Sequence, residues 1–249
     1  MTVVWPLLLS LWAHQGAPLP DLSDPDQPPE GQRVFFPKDK LQRPAFIYAE
    51  MTTEECLAEA DERGLPYAPG PKPPSIEAPV TLEAPLRGVS FEHWSIYQRR
   101  EQARAQQHGA AGPVMDCRLL LALDDFAGVA NQHNVVAVRY SSVYRGIRAR
   151  RAGQRHAAGV AIDVNELILA DGRSWNIKRD YEGAGVGNNT CTLSAPWPAS
   201  EVARDLRRFV CGVARGGFFN LLLSPHYDRH HQDHLHLEVR RDIDWVLVQ

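Results

Sequence analysis

Five of the chain's ten histidines, His226, His230, His231, His234 and His236, fall within eleven residues near its C-terminal end. Imidazole titrates near neutrality and its ring nitrogens bind transition metals, so such a cluster points to proton transfer or metal binding. The end of the cluster reads His231-Gln232-Asp233-His234-Leu235-His236-Leu237-Glu238-Val239. Residues two apart in a strand share a face. His234, His236 and Glu238 would then point one way, with Leu235, Leu237 and Val239 pointing the other way into a core. Such strict alternation of imidazole and aliphatic side chains is hard to explain as packing. The plain alternative is a His-rich surface strand facing water.

A second stretch, Arg155-His156-Ala157-Ala158-Gly159-Val160-Ala161-Ile162-Asp163, sets a His and an Asp seven positions apart. The small residues after His156 let the chain turn closely. Asp163 then falls in a strand whose neighbours Ile162 and Val164 point to the opposite face. A carboxylate there is costly unless something pairs it, and a metal ion would. The alternative is a loop His and an edge Asp in water. Catalytic zinc sites take three protein ligands and leave one position for water. The two stretches together can supply three.

The elements that must position these residues are legible in outline. Asn134 to Tyr140 and Val160 to Leu169 read as strands, the second ending at the turn Asp171-Gly172. Phe218 to Leu223 and His234 to Arg240 read as two more. Asp116 can cap a helix carrying Leu119, Leu120, Leu123, Phe126 and Val129 at helical spacing. Ser200 can cap another, with Val202, Leu206, Phe209, Val210 and Val213, stopped near Gly216 and Gly217. Glu54 to Arg63 reads as a short helix. Pro66 to Pro85 is broken by prolines and reads as extended loop with one strand at most. This order is not regular βαβ alternation. It predicts an α+β fold: an antiparallel sheet with flanking helices and a single zinc site on the sheet.

With 249 residues, 44% hydrophobic and 23% charged, the chain has the composition of a globular protein. A net charge of -3 gives no reason to expect nucleic acid as a partner. Val3 to Ala13 is apolar but shorter than the ~20 residues a membrane span needs. It resembles the apolar core of a signal peptide, although no Lys or Arg precedes it and no small-x-small cleavage site follows. The expected division is a signal peptide at 1–17, a Pro-rich linker at 18–50 and one domain at 51–249, with its motif-bearing core at 114–242. The four cysteines, Cys56, Cys117, Cys191 and Cys211, form no C-x-x-C pair. In an exported chain they allow two disulfides in three connectivities, and otherwise they are buried thiols.

The His-x6-Asp stretch followed by a terminal His-x-His strand resembles the lysostaphin, D-Ala-D-Ala carboxypeptidase and hedgehog group of zinc peptidases. HQDHLHLEV is close to the ending of murein endopeptidase A, and also to that of the bacterial extensin-like C-terminal domains. The latter match more widely, at Cys56-Leu57-Ala58, Pro79-Val80, Cys117, Arg145, the His156–Asp163 stretch and Cys211. The resemblance implies that His156, Asp163 and His236 hold Zn2+ and that His234 and His231 are catalytic. Some relatives carry a Glu base just before the last ligand. Here Asp233 and His234 stand there, and the role passes to His234. Relatives often have a Cys just before the Arg matched to Arg145, where this chain has Tyr144. Arg145 would clamp a substrate carboxylate, while Arg148, Arg150 and Arg151 read as a solvated basic loop. The expected activity is hydrolysis of peptidoglycan cross-links or stem peptides by a periplasmic or secreted monomer. The alternative is a non-catalytic zinc-stabilised wall-binding module or structural envelope protein.

Overall fold

The computed structural model describes residues 33–35, 42–94, 113–145, 155–241 and 243–249. The apolar N-terminal segment, most of the Pro-rich stretch, and Arg148, Arg150 and Arg151 lie outside the described residues. The helices are α1 (Pro44–Glu50), α2 (Thr53–Glu62), α3 (Cys117–Gln132), α4 (Ile177–Asp180) and α5 (Glu201–Gly216). The strands are β1 (Arg33–Phe35), β2 (Tyr67–Pro69), β3 (Pro79–Leu82), β4 (Ser90–His93), β5 (Val114–Asp116) and β6 (Val135–Ser142). After them come β7 (Ala161–Leu169), β8 (Ser174–Asn176), β9 (Leu221–Leu223), β10 (Leu235–Glu238) and β11 (Trp245–Val248).

The α+β architecture is as expected, but the large sheet is mixed rather than antiparallel. Its order is β1-β11-β9-β10-β7-β6-β4, with β8 also beside β7. Strand β4 runs parallel to β6, and β9 runs parallel to β11. Parallel neighbours need a long crossover. The chain supplies one between β4 and β6 through β5 and the 16-residue α3. A second, antiparallel sheet has the order β2-β3-β5. Its strands β2 and β3 lie in the proline-broken stretch, which therefore holds two strands where at most one was expected.

Helix α3 is the centre of the core. Leu119, Leu120, Leu121, Leu123 and Phe126 are all fully buried. A helix apolar on nearly every face must be enclosed. Here α1, α2, α5, β3, β5 and β6 enclose it. Phe126 meets Phe209 of α5 edge-on, with ring centroids 5.4 Å apart. Each such side chain contributes about 1.5–3 kcal/mol on burial. Both expected caps form: Asp116 accepts from the Arg118 amide and Ser200 from the Ala203 amide. Helix α5 ends at Gly217, whose φ of 68° is the left-handed conformation glycine adopts freely. Phe46, Tyr48 and Ala49 of α1 are buried in the same core. Packed structure therefore already includes Pro44 to Glu50, the end of the segment read as linker.

Two disulfides form, Cys56–Cys117 and Cys191–Cys211. The first joins α2 to the first turn of α3 and closes a separation of 61 residues. In the chain-entropy account that is worth about 4 kcal/mol. The second ties the segment after α4 to α5. Among the described residues no helix is long and apolar enough to cross a membrane.

Candidate metal centre

The site is built by strand register. β10 pairs antiparallel with β7, and His236 lies directly opposite Asp163. On the other edge of β7, Ser142 of β6 is also registered with Asp163. Ile162, Val164, Leu235 and Leu237 are buried in the core from the opposite face. Asp163 and His236 therefore share the outer face, as period-2 alternation requires. His156 reaches them from a 3-10 turn over Arg155–Ala158. That turn closes at Gly159, whose φ is 69° and where a Cβ would meet the Asp116 backbone nitrogen at 2.9 Å. Only glycine fits there without displacement.

One carboxylate oxygen is the focus. Asp163 Oδ1 lies 3.1 Å from His156 Nε2, 2.9 Å from His236 Nδ1 and 3.4 Å from His234 Nε2. The ligand atoms of His156, Asp163 and His236 all fall within 4.8 Å of one another. Tetrahedral zinc with bonds of about 2.0–2.2 Å sets neighbouring ligand atoms roughly 3.4 Å apart, so the spacing suits such an ion.

The far side of each ring explains why. His156 Nδ1 donates to the Val143 carbonyl at 2.8 Å. His234 Nδ1 lies 2.8 Å from Asp233 Oδ1, and His236 Nε2 lies 3.2 Å from Glu238 Oε2. These outer oxygens can only accept, so they hold the proton of each neutral ring on the outside. Three lone pairs then converge on a carboxylate oxygen. That arrangement is repulsive unless protons or a cation stand between them, and a set of imidazole nitrogen and carboxylate oxygen fits zinc.

The neighbours complete the cleft. His231 Nδ1 lies 2.7 Å from Asp228 Oδ1, and its ring centroid is 5.3 Å from that of His234. Arg145, expected at a substrate carboxylate, directs Nη2 to Asp163 Oδ2 at 2.5 Å and Nε to Ser142 Oγ at 2.7 Å. It holds the second oxygen of Asp163 while its side chain remains 46% exposed. It also rims an open pocket of about 500 Å³ lined by His93, Val114, Tyr140 and Ser142.

The family model for the extensin-like protein C-terminus matches residues 94–248, more than half of the chain. The chain belongs to that family. No curated protein and no solved structure matches it. The extensin-like match takes in all six candidate site residues and the Cys191–Cys211 disulfide, and it begins beyond Cys56.

Electrostatics in this extensin-like domain follow from the crowding. Burial favours the neutral form of Asp163. Hydrogen bonds from His156 and His236, with the charges of His156 and His234, outweigh it and hold the carboxyl well below the usual range. Burial disfavours the His236 cation, but hydrogen bonds to Asp163 and Glu238 raise its pKa to about 9. His231 is lowered, first by burial, against the pull of Asp228.

Two of the clustered histidines stand apart from the centre. His226 accepts from the Gly185 amide at 3.1 Å and packs edge-on against Tyr181, which is a loop-holding role. The His230 side chain is 80% exposed. Sequence reasoning missed the partners of the histidines: Asp228, Asp233, Glu238 and the Val143 carbonyl. Glu238 was visible on the histidine face, but nothing in the spacing gave it a task.

Proposed function

We propose that this domain is a zinc-dependent hydrolase acting on peptide bonds of bacterial cell-wall peptidoglycan, either in cross-links or at D-amino-acid ends. The observation that carries the reading is the convergence of His156, Asp163 and His236, with two Asp–His pairs beside them. Zinc held by those three residues would lower the pKa of a water molecule to about 7 and polarise a carbonyl. Asp233 keeps the His234 proton on Nδ1, which leaves Nε2 free to take a proton from water. Asp228 holds the Nδ1 proton of His231 and fixes its ring beside His234, so that Nε2 would be free to receive the proton taken from water and then to pass it to the leaving amine. Arg145 neutralises the outer oxygen of Asp163 and offers its exposed side to a substrate carboxylate. The two disulfides favour an oxidising compartment, the periplasm or the exterior. The likeness to the lysostaphin, D-Ala-D-Ala carboxypeptidase and hedgehog group supports the same reading.

A second reading has its own observation. His234 Nε2 lies only 3.4 Å from Asp163 Oδ1, near enough to serve as a fourth ligand. Structural zinc sites are closed by four ligands, and the domain would then bind cell wall without turning it over. Zinc-loaded protein incubated with purified sacculi separates the two. The enzyme reading expects soluble muropeptides, lost on His234→Ala while zinc stays bound. Intact sacculi, or a His234→Ala variant that loses its zinc, favour the closed structural site.

A further inference from the structure

Glu238, already placed behind His236, also pairs with Arg155, whose side chain is 35% exposed. Glu238 is 3% exposed, on a strand that otherwise alternates cleanly between core and site. Its Oε2 lies 3.2 Å from His236 Nε2, and its Oε1 lies 3.1 Å from Arg155 Nε. Arg155 immediately precedes His156 and opens the 3-10 turn that carries it. The two carboxylate oxygens thus face the two elements that present the histidine ligands. Burying a carboxylate such as that of Glu238 is costly unless something pairs it. A positional task accounts for keeping the pair.

We propose that Glu238, anchored by Arg155, is the positioning residue of the centre. It fixes the proton of His236 on Nε2, turns Nδ1 toward Asp163 and any ion held there, and clamps the His156 turn onto β10. The inference rests on the zinc reading above. A carboxylate behind a metal-ligating imidazole typically accounts for roughly 10–100-fold in metal affinity. Just past the turn and the strand, Val239 N donates to Val160 O at 3.0 Å.

The test uses the full chain, with zinc affinity measured by chelator competition and the His236 Nε2–H followed as a slowly exchanging imidazole proton by NMR. Glu238→Ala is expected to weaken zinc binding roughly 10–100-fold and to abolish that resonance. Arg155→Gln is expected to weaken binding less, with the resonance kept. Zinc affinity within twofold of the parent and an unchanged resonance in Glu238→Ala overturn the proposal. Should Glu238→Ala fail to fold, Glu238→Gln keeps the volume and one acceptor. It is expected to keep the resonance and bind zinc severalfold more weakly, and parental affinity there overturns the proposal. A parent chain that binds no zinc defeats the functional reading instead. The resonance of the metal-free protein then decides the orientation of His236 by itself, and its absence overturns the proposal.

Discussion

Asp116 and Asp163 are each 1% exposed, the first ending β5 and capping α3, the second inside β7. Their surroundings differ in kind. Asp116 accepts from the Ala78 and Arg118 amides at 3.0 Å each and from Arg118 Nη1 at 2.9 Å. Every one of those partners is an obligate donor that brings its own proton. Asp163 has one such partner, Arg145, and otherwise faces imidazole nitrogens that carry a lone pair when neutral. The first carboxylate is complete as a structural tie. The second is complete only with added protons or a cation. Equal burial therefore says little about role, whereas the chemistry of the partners distinguishes a brace from a binding centre.

Exchanging the two aspartates' fates gives the largest expected effects. Asp116→Ala removes the buried carboxylate that pairs with Arg118 Nη1 and accepts from the Ala78 and Arg118 amides, leaving Arg118 only the Met51 carbonyl and the exposed Glu77, and is expected to cost roughly 3 kcal/mol of stability. Chemical denaturation reads that loss, and zinc affinity of the folded fraction should be unchanged. Asp163→Ala removes one of the three proposed ligands. If zinc binding worth about 10–16 kcal/mol is shared among them, affinity falls by roughly a hundredfold or more. Similar losses of zinc affinity in both variants would break the distinction.

The next effect is one of pH. The His236 pKa is raised to about 9, above its unfolded value near 6.5. Its contribution to stability is therefore fully present below about 6.5 and is lost as pH rises through about 9. Asp163 is depressed, so its contribution is present above about pH 3.9 and is lost only in strong acid. Metal-free protein should become less stable between pH 7 and 9, while zinc-loaded protein, with no proton on His236 Nδ1 to lose, should not. Thermal melts across that range check this, and equal alkaline losses in the two forms would contradict it.

The smallest effect lies where the two regions touch. Gly159 O accepts from the Asp116 amide at 3.0 Å, and Gly159 ends the His156 turn. Gly159→Ala forces a left-handed alanine at a cost of about 1–2 kcal/mol, with a further cost from the close approach to the Asp116 backbone. Both stability and zinc affinity should fall modestly, and a loss confined to one of them would show that the regions are independent.

Much of this was written locally in the chain. Leu235, His236, Leu237 and Glu238 announce their strand by alternation, and Asp116 and Ser200 announce their helices by capping. The resemblance drew His156, Asp163 and His236 together, and the structure places their ligand atoms side by side. What the sequence hid depends on register and on distant partners. Nothing near Asp163 states that His236 lies opposite it, or that Arg145 holds its second oxygen. The parallel pairing of β4 with β6 was equally invisible, since crossover direction leaves no periodic trace. Helix α1 was misread because a proline-rich neighbourhood masked four buried side chains, Ala45, Phe46, Tyr48 and Ala49. Glu238 was seen but unassigned, because its work depends on Arg155, brought close only by folding.

The pairing of His236 with Asp163 spans 73 residues of sequence. Contacts of such separation form slowly, because the intervening loop must be closed before it is rewarded. Where metal ligands lie close together in a small domain, the ion can organise the fold around itself. Here the reverse order applies. The sheet must be zipped before His236 meets Asp163, so an ion held there as proposed would not be the nucleus of folding. Its capture would be a late event that reports a finished sheet, and a chain stalled before that point would retain only a loose histidine-rich tail.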